Sequence, residues 1–317
     1  MANIIIAVLQ ALLVILLAPF FSGFSRWLRA RMHSRKGPGI MQDYHDIAKL
    51  FKREDVHSAE SSFVHRFTPI LFIATMLALT FGVPMIIRVS PIPVLGDIIL
   101  VIYLLALSRF FFSLCAIDSG DTYAGLGGVR ELLVGVLIEP AMMLSLVVVA
   151  LATGTTYIGG MGYSIGNLVA SSPIGVIVAG VAFAIACYVE TGKIPFDLAE
   201  AEQEIQEGPL AEYSGPSLAL MKIGMSMKQI IVVSWFFAIF IPWGSALPYA
   251  TSTMLSYDIL SVLLGIVVWF LKMVVFFGIC GFVENALIRV RYKFLGKKTW
   301  AIVGLSACAF LLCILGI

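Results

Sequence analysis

The amino-acid sequence predicts an all-α integral membrane protein with about eight transmembrane helices and both termini on the outer side. Three observations carry that prediction. Of the 317 residues, 60% are hydrophobic and 13% charged, against roughly half and a quarter in soluble domains. Eight apolar runs approach or exceed the ~20 residues that a helix needs to cross a bilayer. Lys and Arg fall almost wholly on one side of those runs, which orients the chain. The composition excludes a soluble globular enzyme, a disordered chain and a nucleic-acid binder.

The runs are 3–24, 69–90, 97–117, 131–153, 172–191, 228–248, 260–283 and 300–316. Backbone groups in lipid must be satisfied within the segment, so these are helices, too long and too continuously apolar for barrel strands. The first run lacks a basic leader and passes Pro19 without a small-residue cleavage site, so it is read as a retained helix. Eighteen of the 21 Lys and Arg lie in the connections 1–2, 3–4, 5–6 and 7–8. The positive-inside rule places those connections in the cytoplasm, among them the long loops 25–68 and 192–227 of a single membrane domain, 1–317. Residues 40–51 carry Ile40, Tyr44, Ile47 and Phe51 at helical spacing, which predicts an amphipathic helix at the lipid interface or against a partner. No repeat of 20–50 residues is visible, which argues against a standalone transporter.

The five cysteines form no C-x-x-C, and the four histidines share one loop without a ligand pair, so neither a disulfide nor a metal site of this chain is predicted. Chemistry is therefore sought in charges placed where they are costly. Arg109 lies in the third helix, Glu131 and Glu139 in the fourth, Glu190 at the end of the fifth, Lys272 in the seventh and Glu284 at its end. Glu131 and Glu139 are eight residues apart, roughly 80° around a helix, and so both can line one side of a polar path. An ion pair of Glu139 with Lys272 or Arg109 that merely locks the bundle is the competing reading. Residues 190–215 hold seven acids: Glu190, Asp197, Glu200, Glu202, Glu204, Glu207 and Glu212. The i, i+4, i+7 spacing of Glu200, Glu204 and Glu207 predicts a carboxylate stripe on one helical face, suited to proton relay. Arg35-Lys36-Gly37-Pro38-Gly39 sets two cations before a tight turn, a surface for an acidic partner or lipid headgroups.

These segments resemble a known family. Arg35–Gly39 followed by Asp46-x-x-Lys49-Leu50-Phe51 is similar to the RKGPN…DAxKLF stretch of membrane subunit 1 of respiratory complex I, the NADH:quinone oxidoreductase. ETGKIPFDLAEAEQE at 190–204 resembles that family's ETNRxPFDLxEAExE, and Glu212-Tyr213-Ser214-Gly215 its EYSG. Gly192-Lys193 replaces the Asn-Arg pair, and Gly39 replaces Asn. Gly128–Leu132, Glu202–Leu210 and Glu284-Asn285-Ala286…Arg289 look more like the membrane subunit of group 4 [NiFe] hydrogenases, the hydrogenase-4 and formate hydrogenlyase branch.

The resemblance implies a non-catalytic anchor and energy-coupling subunit in a bacterial or archaeal cytoplasmic membrane. It would bind no cofactor itself. Partners would be the [NiFe] large subunit, a small subunit with a [4Fe–4S] cluster, an iron–sulfur subunit and antiporter-like membrane subunits, with lipid around them. It also implies roles. Glu190, Asp197, Glu200, Glu202 and Glu204 match the acidic loop bordering the quinone chamber, Glu131 the head of the polar axis, and Arg35, Lys36, Gly37 and Pro38 a loop facing partners. Asp46, Lys49, Glu212 and Tyr213 are expected at the same interface, and Glu139, Glu207, Arg109, Lys272 and Glu284 along the proton path. Gly192 and Lys193 argue against a quinone, since protons can accept the electrons. The alternatives are a quinone-chamber subunit and a purely structural anchor.

Overall fold

The computed structural model describes residues 2–58, 61–199, 201–247, 249–251, 254–256 and 259–316. Eight of its helices are long and apolar enough to cross a membrane. They are α1 (Ala2–Met32), α3 (Phe63–Gly82), α4 (Ile98–Asp118), α5 (Thr122–Thr153), α7 (Pro173–Glu190), α9 (Gly215–Phe240), α10 (Ile259–Ala286) and α11 (Tyr292–Ile314). Three shorter helices join them: α2 (Gln42–Leu50), α6 (Ile158–Gly166) and α8 (Glu202–Ile205). A two-stranded hairpin, Tyr249–Thr251 with Met254–Ser256, departs from the all-helical expectation.

Local chemistry sets the boundaries. Asp97 caps α4 by accepting from the Ile99 amide, and Asp121 caps α5 through Ala124, both at 2.8 Å, the usual work of an N-cap carboxylate. Gly154 closes α5 in the left-handed region. The second span runs 63–82, not 69–90, because Pro84 cannot continue the helical ladder. The sixth begins thirteen residues before its predicted start and stops at Phe240, just ahead of Pro242. Residues 215–227, expected in a loop, are thus membrane helix.

Helix α9 is central, packed against α1, α3, α6, α7 and α10, while α5 packs on α4, α7 and α11. Large side chains fill the space between: Trp235, Phe183, Phe21 and Phe277 are fully buried, and Phe183 meets Trp235 edge-to-face with centroids 5.2 Å apart. Helix α2 lies across α1 and α9. Asp43 is its buried residue and pairs with Arg26, and Tyr44 donates to the Leu16 carbonyl. Phe51, expected on the apolar face, is half exposed. The Arg35–Pro38 turn is exposed. Gly37 holds its left-handed conformation there, where a Cβ would strike the Ala30 side chain at 2.3 Å.

Candidate functional site: a buried ion network

Four spans bring five charges together near one end of the bundle. Arg109 on α4 is 4% exposed. Its guanidinium donates to both Glu190 carboxylate oxygens and to Glu139, and its Nε lies 3.6 Å from Glu131. Lys228 on α9 reaches the same carboxylates, 3.0 Å from Glu190 and 3.2 Å from Glu131. Glu131 and Glu139, eight residues apart on α5, do face one side and share one arginine. Gly135 between them makes this possible, because a Cβ there would sit 2.3–2.7 Å from Arg109 side-chain atoms.

Charges held in low dielectric persist only when paired. Three carboxylates facing two cations leave one formal negative charge, which a single proton balances. Arg109 connects the two ends of the network, from buried Glu190 to Glu139, whose side chain is one-third exposed.

Two cavities lead to the network. The first, about 260 Å³, opens between α1, α2, α9 and the 197–210 segment and carries Arg26, Asp43, Asp46, Asp197, Glu207 and Lys222. The second, about 60 Å³, is lined by Glu131, Glu190 and Lys228. Asp197, Met225 and Gln229 line both. Asp197 also pairs with Arg289 at 2.8 Å, so it stands between the outer cavity and the buried charges.

Other expected site residues lie apart. Glu284 is buried, 3.4 Å from Lys193 and 3.9 Å from Arg29, in a separate pair under the α10–α11 turn. Lys272 does not meet Glu139; it donates to the Ile241 and Trp243 carbonyls at 2.6 Å each, towards the opposite end of the bundle. The predicted carboxylate stripe does not form. Helix α8 has only four residues, and Gln206 and Glu207 are left-handed before Gly208-Pro209, so Glu204 and Glu207 share no helical face. Glu204 instead pairs with Arg130 at 2.6 Å. Glu200 lies outside the described residues, and Glu202 is placed on α8 by its backbone. Lys49 is exposed and Asp46 half-buried, 4.0 Å apart. Glu212 is half-buried. Tyr213, expected at a partner surface, is 4% exposed, stacks on His65 at 4.1 Å and donates to the His65 carbonyl at 2.9 Å. Burial pushes its phenol up, and the stack and hydrogen bond pin the loop to α3. Among the described residues no three His, Cys, Asp or Glu converge as metal ligands.

Lys228 was not legible as a site residue, since it counts among loop lysines in the sequence, and neither were Arg26, Asp43, Lys222 and Gln229. The signal lay in the apolar spacing of Leu218, Met221, Met225, Ile230 and Ile231, which carries one helix from Gly215 through Lys228.

Residues 4–315 match the NADH dehydrogenase family. The chain belongs to that family. It is 44% identical to hydrogenase-4 component C of Escherichia coli K12, over 99% of this chain and 97% of the relative. It is 39% identical to formate hydrogenlyase subunit 4 of the same organism, over 97% and 98%. Its fold is that of a chain in the membrane-bound sulfane sulfur reductase, an archaeal respiratory membrane complex, with a TM-score of 0.86 at 24% identity, covering 99% of this chain and all of that one. Eight apolar spans and relatives of this kind make it a multi-pass membrane protein.

Proposed function

We propose that the chain is the membrane-anchor and energy-coupling subunit of a group 4 [NiFe] hydrogenase of the hydrogenase-4/formate hydrogenlyase type. It links electron transfer and hydrogen evolution in a soluble arm to proton translocation. The observation that carries this reading is the five-charge network at the inner end of two adjoining cavities, in a chain alike over its whole length to two such subunits.

The large basic loop and the 191–214 segment face the cytoplasm, in a bacterial or archaeal cytoplasmic membrane, and receive the arm. The [NiFe] and [4Fe–4S] groups belong to partner subunits. A charge change in the arm acts on Asp197 and Glu207 at the outer cavity. A proton then passes by way of Asp197 to the Glu190–Lys228–Glu131 cluster. The Arg109 contacts extend that cluster to Glu139, from which antiporter-like subunits take the proton.

Mild-detergent purification through a tag on this chain, with mass spectrometry and hydrogen assays, tests the assembly. A [NiFe] large subunit and hydrogen evolution are expected. Glu139→Gln, at the open edge of the network, should leave assembly intact and abolish proton uptake by inverted vesicles. Unchanged proton flux in that variant overturns the coupling role and leaves a structural anchor. Family membership favours one second reading, a quinone-chamber subunit. Quinone reductase activity without nickel in the purified complex would establish it instead.

A further inference from the structure

At the opposite end of the bundle, two cations have no carboxylate paired to them among the described residues. Arg88, in the turn after α3, is 9% exposed. Its Nη2 donates to the Pro242 carbonyl at 3.3 Å, but Nε is buried without an acceptor. Arg88 and Lys272 line one small cavity between α9 and α10, and no ion pair reaches either among the described residues. Arg88 also lines a larger cavity, about 450 Å³, walled by Tyr157, Gly159, Gly160, Tyr163 and Leu247.

A buried guanidinium with unused donors is costly unless an anion meets it. At about 450 Å³ the cavity has room for more than a small ion. At the mouth, Tyr163 is 56% and Leu247 48% exposed, an aromatic and an apolar side chain at the level where the spans end and lipid phosphates sit. A soluble anion has no use for that apolar rim, whereas a lipid does.

We propose that this cavity holds the phosphate of an anionic phospholipid on Arg88, with Lys272 adding to the local positive field and Tyr163 and Leu247 flanking the glycerol and upper acyl chains. The site is independent of the hydrogenase reading.

The test uses the full chain, delipidated in mild detergent. Its thermal midpoint and native mass spectrum are followed with phosphatidylglycerol, phosphatidylcholine or inorganic phosphate. Phosphatidylglycerol is expected to raise the midpoint above the level reached with phosphatidylcholine and to remain bound as one copy. Arg88→Gln should raise its half-saturating concentration about tenfold, the loss of one charge-assisted contact. Gly160→Leu, which fills the cavity wall and leaves Arg88 in place, should weaken it similarly and decides the matter if Arg88→Gln fails to fold. Equal protection by the two lipids, or a preference for phosphatidylglycerol that survives Gly160→Leu, overturns the proposal. Inorganic phosphate that reproduces the shift and displaces the lipid overturns the lipid assignment in favour of a soluble phosphate.

Discussion

The two ends of the bundle handle buried charge in opposite ways. Near the Glu190 end, two cations and three carboxylates from four helices pair with one another. Near the Arg88 end, Arg88 and Lys272 rest on backbone carbonyls, with no acid paired to either among the described residues. A mutually paired cluster one proton short of neutrality can take up or release a proton by redistributing its contacts, so it suits relay. A cation without a counter-charge suits binding something from outside. Similar residue types therefore support different functions, and the count of acids around each cation decides which.

The largest expected effect comes from breaking the balance of the network. Arg109→Met removes the contacts to Glu190, Glu139 and Glu131, leaving Glu190 and Glu131 on Lys228 alone and Glu139 without its cation. Loss of one partner from a buried pair costs about 3–5 kcal/mol. The variant should fail to accumulate in the membrane or unfold at a much lower temperature in detergent. Arg109→Lys should recover little, because a single ammonium cannot bridge three acids. A wild-type melting midpoint for Arg109→Met would show that the network carries no structural weight.

Gly135→Ala sharpens the same point at intermediate size. The new Cβ would lie 2.3 Å from Arg109 Nη1. An arginine tip normally yields to such a contact, but three carboxylates fix this one. Overpacking of this kind costs about 1–3 kcal/mol. In the Arg109→Met background the added methyl should cost almost nothing, because its obstacle is gone. A double-mutant cycle on thermal midpoints reads that coupling directly.

Much of this was legible in the sequence. The eight spans followed from apolar run length, and Arg109, Glu131, Glu139 and Glu190 stood out because an apolar run advertises each charge it contains. Lys228 was hidden because the acid-rich 190–215 segment drew the following helix into the loop. The eight-residue spacing of Glu131 and Glu139 fixed their common side, but no spacing shows that an arginine on another helix meets both. Tyr213 had the composition of a surface motif, and only tertiary packing reveals its stack on His65. The supposed stripe failed for a local reason: α8 ends at Ile205, and Gln206 and Glu207 turn left-handed ahead of Gly208-Pro209.

The smallest effect lies one residue outside the network. Arg130 precedes Glu131 on α5, yet the turn of the helix sends it out of the network to a half-buried place at the rim. There it pairs with Glu204, whose side chain is 47% exposed, and its guanidinium lies 5.8 Å from the Tyr292 ring centroid. Solvent-exposed pairs contribute about 0.2–1 kcal/mol and weaken with salt. Arg130→Ala should therefore lower the melting midpoint only slightly. In a cycle with Glu204→Ala, the coupling should fall to nothing at high ionic strength. The corresponding Arg109–Glu190 coupling should persist, because both side chains are buried and salt screens buried charges poorly. Equal salt sensitivity in the two cycles would mean that water reaches Arg109 as freely as it reaches Arg130, and the contrast between a sealed network and a solvated rim would fail.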